Sequence, residues 1–184
     1  NLMSYNGLGT RVGLTDSGGN RQYVRDGVGV TAPVLSDGNS TFTAGGERTG
    51  GVAKTLHSGL KNDDLQTDNS GSVIGERLYD AFGNVVSNSG AWSSHSGYGG
   101  KFGYQDDADS SLKLLGHRYY DSSTGRFLTR LPSHDRNWYG YARNNPVTLM
   151  NNMDVRDEIG DAGKRGAIWG SACKHARRMD TGCI

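Results

Sequence analysis

What this chain has little of narrows its possibilities first. It holds three prolines and two cysteines, carries a net charge of +1, and draws 34% of its residues from the hydrophobic set. No apolar run approaches the roughly 18 residues a spanning helix needs, so a transmembrane helix is excluded on length. The near-neutral charge gives no general attraction to nucleic acid or to an anionic membrane surface. Cys173 and Cys183 neither require nor exclude a disulfide, and Cys173-x-His175 with one distant cysteine lacks the paired spacing of a structural zinc site. The other histidines, His57, His95, His117 and His134, have no spacing that converges on a nucleophile. No secretory leader is visible. The chain opens on Asn1 rather than Met, so we expect a piece of a longer protein, where a missing leader says little about export.

What is abundant is glycine, at 29 residues, which together with the thin apolar supply describes many turns and short strands. The fullest unit is HRYYDSSTGRFLTR, from His117 to Arg130. Tyr119 and Tyr120 suit a pleated, half-buried surface. Asp121, Ser122, Ser123 and Thr124 can bond their own backbone, and Gly125 can take positive φ. Arg126, Phe127 and Leu128 restart a strand, so the unit reads as a β-hairpin. A valine at position 125 should be strained. The same grammar recurs as YDAFGNVV, with Tyr79, Asp80 and Gly83, and more loosely from Tyr5 and from Tyr23. Repetition of aromatic, polar turn, glycine and aliphatic return points to stacked β structure.

Along the chain three parts are expected: repeat-like β-hairpins over 1–100, the fullest motif over 101–150, and a divergent tail over 151–184. Thr43–Gly51 and Ser87–Gly100 are rich in Gly and Ser and read as loops. Asn137–Ala142 reads as a short helical turn stopped by Asn144-Asn145-Pro146, with Trp138, Tyr139 and Tyr141 packing it onto the sheet. In the tail, Ile168, Ala172, Ala176 and Met179 recur at helical spacing, but about thirty residues cannot enclose a catalytic core.

Four blocks carry a family likeness: SYNGLGTRV (Ser4 to Val12), LQTDNSGSVIGERLYDAFGNVV (Leu65 to Val86), FGYQDDADSSLKLLGHRYYDSSTGRFLTR (Phe102 to Arg130) and NWYGYARNNPV (Asn137 to Val147). In this wording and order the chain resembles the Rhs or YD-repeat proteins, and in particular their Rhs repeat-associated core. The resemblance implies a mainly β fold of antiparallel hairpins in an open curved sheet, part of a hollow shell around a cargo polypeptide, with one or two short helices near the C-terminus. It implies as partners the remainder of that shell and a C-terminal toxin cargo, with secretion machinery or glycans further out, and a secreted or cell-surface location. No cofactor, nucleic acid partner or membrane span is expected.

The resemblance also raises self-cleavage, because the family's core cuts its own chain with aspartic-protease-like chemistry. Two close carboxylates are needed, one protonated and one ionised. The family pattern places Asp-Pro after the arginine that follows GRFL, and a later Asp-Pro-x-Gly-Leu. Here Arg130 is followed by Leu131 and Pro132, and the later region reads Asn151, Asn152, Met153, Asp154. Leucine has no proton to exchange and no lone pair to orient water, so the chain is not expected to be an enzyme. Asp135, four residues past Leu131, is a poor substitute, since nothing aims it at the same pocket. A sugar-binding platform could be built from Tyr5, Tyr23, Tyr79, Tyr104, Tyr119 and Tyr120 if their rings lie exposed in a row, but strand tyrosines usually pack. Asp106, Asp107 and Asp109 form an acidic run without the glycine and terminal glutamate of a calcium loop.

Overall fold

The computed structural model describes residues 1–30, 32–130 and 137–149. They form three antiparallel sheets in which each strand pairs with the next in sequence. Strands β1 (Leu2–Tyr5), β2 (Arg11–Asp16) and β3 (Gly19–Gln22) make the first. An eight-stranded sheet follows: β4 (Val24–Arg25), β5 (Val34–Ser36), β6 (Ser40–Thr43), β7 (Gly46–Thr49), β8 (Val52–Ser58), β9 (Asp63–Asp68), β10 (Val73–Tyr79) and β11 (Val85–Gly90). The third sheet comprises β12 (Gln105–Asp106), β13 (Lys113–Leu115), β14 (Arg118–Asp121) and β15 (Arg126–Phe127). The fold is mainly β, with open sheets, as the turn-rich composition leads one to expect.

One turn design is used three times. Asn6 Oδ1 accepts the N–H groups of Leu8 and Thr10, both at 2.9 Å. Asp68 Oδ1 accepts those of Ser70 and Ser72 at 2.8 and 3.0 Å, and Asp80 Oδ1 those of Phe82 and Asn84 at 2.8 and 2.9 Å. Each residue's backbone carbonyl then receives the N–H of the glycine three positions on, Gly9, Gly71 or Gly83. A short polar acceptor that closes its own turn, followed by a left-handed glycine, is the three-residue hairpin loop with a bulge. The bulge shows as register shifts at Ser4/Tyr5 and Leu78/Tyr79. Asp121 closes its loop likewise, accepting Ser123 N–H at 2.9 Å and the Thr124 hydroxyl at 3.0 Å.

Two expectations about loops are corrected. Thr43–Gly51 is not a loop, because β7 runs through it in full register with β6 and β8. Its glycine pairs sit at the two strand ends, and between them Glu47 turns inward and is buried while Arg48 turns outward. In Ser87–Gly100 the first residues extend β11 to Gly90, and the chain leaves the sheet only after that. The helical turn expected over Asn137–Ala142 is also displaced. Phe127 N–H donates to Tyr139 O at 2.9 Å and Gly140 bridges Arg126, so the segment is held extended against β15. The helical turn comes later, as a 3-10 turn Ala142–Asn144 in left-handed conformation, with φ of 47, 53 and 60°.

The apolar core lies at one end. Tyr98, Tyr104, Leu115, Tyr120, Phe127, Tyr141 and Ala142 are buried together, with Tyr79 and Phe82 packed alongside. Ring centroids of Tyr120 and Tyr141 are 4.6 Å apart, and those of Tyr120 and Phe127 5.5 Å. Each buried large apolar side chain contributes roughly 1.5–3 kcal/mol relative to exposure. Elsewhere the eight-stranded sheet buries polar groups, among them Ser40, Glu47, Asp63, Gln66 and Thr67.

Candidate functional site

The two full motif hairpins, β10–β11 and β14–β15, meet at their turns. Tyr120 projects from β14 and donates its hydroxyl to Phe82 O at 2.8 Å, inside the other hairpin's turn. Tyr98 donates to Ala81 O at 2.8 Å, one residue earlier. Gly83 allows that approach, since a Cβ there would fall 2.7 Å from the Tyr98 ring. Gly125 faces the Phe82 ring, where a Cβ would sit at 3.2 Å. Asp80 and Asp121 spend their carboxylates on their own turns. Partial burial pushes Asp80 up, but the Asn84 amide and the N–H groups of Asn84, Phe82 and Gly83 outweigh it and hold its carboxyl below the usual range. The Ser123 hydroxyl leads the set that holds Asp121 low as well. Both remain ionised acceptors, unsuited to proton transfer near neutrality.

The phenols move the other way. Burial, with a smaller push from Asp106, raises Tyr79 to about 12. Burial likewise raises Tyr98 and Tyr120 far above the usual phenol value. Tyr98 and Tyr120 therefore act as neutral hydrogen-bond donors to the turn of the first hairpin. Tyr119 points elsewhere and reaches Met3 Sδ at 2.8 Å, with Tyr5 and Arg11 at 3.3 Å. Of the six tyrosines considered as a sugar platform, Tyr104 and Tyr120 are buried and only Tyr5 is well exposed. They form no exposed row.

Between the paired turns lies a cleft of about 250 Å³, lined by Phe82, Asn84 and Ser122 to Arg126, with Asn137, Gly140 and Asn144 from the chain that returns along β15. A second, more apolar groove of about 480 Å³ lies between Met3, Leu112, Tyr119 and Leu128. Arg130 stacks its guanidinium 3.5 Å from the Trp138 ring centre. Leu131, Pro132, Asp135 and Asp154, together with the tail helix, Cys173, His175 and Cys183, lie outside the described residues. The acidic run is divided among local tasks: Asp106 pairs with Lys113 at 2.8 Å and Arg77 at 3.6 Å, Asp107 accepts from Asn1, and Asp109 from Ser17. Among the described residues no three His, Cys, Asp or Glu side chains gather into a metal-binding group.

Sequence reasoning missed two connecting cations. Lys61 donates to Tyr98 Oη at 3.0 Å and to Pro146 O at 2.5 Å, tying the β8–β9 loop to the Asn-Asn-Pro element, and burial lowers its pKa. Buried Arg11 in β2 donates to Gln105 Oε1 at 2.7 Å and lies 5.2 Å from the Tyr23 ring centre, so it joins the first sheet to the third. Lys61 stands in none of the four blocks, and although Arg11 lies within SYNGLGTRV, no local pattern marks either cation as a connector.

No protein-family model matches the chain. In an alignment 88 residues long that covers 44% of the chain, it is 34% identical to the tRNA3(Ser)-specific nuclease WapA of Bacillus spizizenii and 33% identical to the tRNA nuclease WapA of Bacillus subtilis. The chain spans only 4% of the length of each. Among solved structures it is similar to TcdB2-TccC3-TEV, with 81% of the chain covered at a TM-score of 0.60 and 21% identity. A Photorhabdus luminescens Tc holotoxin pore with a mutated TccC3 matches 80% of it at 0.56 and 19%. It covers 8% of each of those chains. The structural likeness establishes the fold. Together the comparisons make the chain similar to a small part of two tRNA nucleases in sequence and to a small part of TccC3-containing structures in fold.

Proposed function

We propose that this segment is a non-catalytic wall element of an Rhs-type toxin shell, paired in place with the remainder of that shell and serving to enclose or present a C-terminal toxin cargo. The observation that carries the reading is the shared arrangement of sequential antiparallel strands over 81% of the chain, which occupies only 8% of the matched chain. Such a piece keeps open strand edges, and an edge presents unpaired N–H and C=O groups that invite a neighbouring strand. The all-exposed β11, which forms one margin of the eight-stranded sheet, is of this kind. The reading places the protein outside the cell or at its surface, with secretion machinery or surface glycans as more distant partners.

Lack of catalysis in this reading rests on the sequence after Arg130, where leucine stands in place of the acid. The expressed chain should give one full-length species by intact mass, and a discrete break between Pro146 and Ile184 would overturn the non-catalytic assignment. Size-exclusion chromatography tests the wall role. Self-association of the isolated chain is the expected outcome, whereas a clean monomer would favour a self-contained module.

A further inference from the structure

We propose that Asn6 is a self-modifying residue, whose turn converts the side-chain amide to a carboxylate through a cyclic imide with the Gly7 nitrogen, water being the only other reactant. Asn6-Gly7 is the one Asn-Gly pair in the chain. The attacking nitrogen belongs to the residue after the asparagine, and glycine places no side chain in its path. Gly7 is exposed, and among the described residues nothing accepts its N–H.

Gly7 N loses its proton to solvent and attacks Asn6 Cγ. The N–Cγ bond closes a ring, the Cγ–Nδ2 bond breaks, and Nδ2 leaves as ammonia with a proton taken from solvent. Water then opens the imide, either at Cγ to give aspartate or at the main-chain carbonyl to give isoaspartate. Nucleophile and electrophile are neighbours on the chain, so proximity is supplied covalently, and the fold adds charge stabilisation. Asn6 Oδ1 gathers negative charge as the nitrogen adds, and it accepts the N–H groups of Leu8 and Thr10, both at 2.9 Å. Two backbone donors at that distance are the elements of an oxyanion hole. Hydrogen bonds to an ionised acceptor are roughly twice as strong as those to a neutral one, so these donors favour the transition state over the resting amide.

The turn is held from several sides. Gly9 N–H closes on Asn6 O at 3.0 Å, and buried Thr10 donates its hydroxyl to Val28 O at 3.0 Å. His117, between β13 and β14, stands over Gly9 with Nδ1 3.5 Å from where a Cβ would lie. The product is one this fold already uses. In the other two copies of the turn the acceptor is Asp68 or Asp80, so a carboxylate at position 6 can keep the Leu8 and Thr10 N–H groups while removing one unit of positive net charge. Those copies carry Asn69 and Ala81 in the place of Gly7. Isoaspartate, by contrast, lengthens the main chain by a methylene and takes the acceptor out of the turn.

The test is incubation of the full chain at neutral pH and 37 °C for several weeks, with peptide mass mapping and enzymatic detection of isoaspartate. The peptide holding Asn6 should gain one dalton, about tenfold faster in the folded chain than in urea, while the peptide holding Asn69-Ser70 lags behind it. Leu8→Pro removes one of the two donors and should slow the folded reaction by about threefold. Gly7→Val, placed where a Cβ meets nothing within 4 Å, should suppress it. Asn6→Asp should unfold at the same urea midpoint as the parent. The comparison of the parent with and without urea needs no variant, so it stands if Leu8→Pro does not fold. No mass gain, a folded rate equal to or below that in urea, acid formed without any isoaspartate, or a lowered midpoint for Asn6→Asp would each overturn the assignment.

Discussion

Gly83→Ala probes the contact on which the junction of the two hairpins rests. The new methyl group would lie 2.7 Å from two Tyr98 ring carbons. Tyr98 cannot retreat easily, because it is fully buried and its hydroxyl is bound to Ala81 O at 2.8 Å and approached by Lys61 at 3.0 Å. Gly83 also has a φ of +94°, where a side chain costs about 1–2 kcal/mol. Overpacking against a fixed ring adds about 1–3 kcal/mol, so the total destabilisation should be about 2–5 kcal/mol. Gly71→Ala is the matched control: φ is +82°, but no atom lies within 4 Å of the added carbon, leaving only the backbone cost of about 1–2 kcal/mol. Gly125→Val should fall between them or beyond, since it adds β-branching at φ +68° beside the Phe82 ring. Urea unfolding followed by tyrosine fluorescence gives the differences, provided the denaturant slope is unchanged. Equal losses for Gly83→Ala and Gly71→Ala would refute the claim that Tyr98 closes over the turn.

Two further outcomes are expected. Tyr120→Phe removes the donor to Phe82 O and should cost about 1 kcal/mol by leaving a partly buried carbonyl without its partner, which the same urea series reads. Stability should also fall as pH drops from about 6.5 towards 4, because burial beside Phe42 pushes the His95 imidazole from its ordinary 6.5 down to about 4. In that window the unfolded chain binds a proton that the folded chain refuses, so the contribution is complete above 6.5 and is lost on acidification, by up to roughly 3 kcal/mol. Unfolding curves at stepped pH should show this slope, and His95→Gln should flatten it. The depressed carboxyls of Asp80 and Asp121 act in a separate window, holding their contribution above the ordinary 3.8 and losing it below.

The parts of this fold that were legible in the sequence are those decided by local chemistry. An Asp or Asn that can fold back on its own backbone, followed by glycine, marks the turns at Asn6, Asp80 and Asp121 without reference to the rest of the molecule. What was misread depended on neighbours. Strand β7 has no alternation of apolar and polar residues because the face it buries is itself polar, with Glu47 inside. The left-handed run at Ala142–Asn144 opposes intrinsic preference and is held by the capture of Tyr139 and Gly140 along β15. The candidate cleft was half visible: Gly125 and Arg126 stood in the motif, whereas Asn137 and Asn144 reach it only through the return of the chain.

Concentrating the greasy residues at one end has a thermal consequence. Heat capacity rises on melting with the exposure of nonpolar surface and falls with that of polar surface, so a chain that hides serine, glutamate, glutamine and threonine along most of its length should show a muted increment for its size. Its stability curve would then be shallow, neither peaking sharply nor collapsing abruptly away from the optimum. Such tolerance would suit the wall role proposed for this segment.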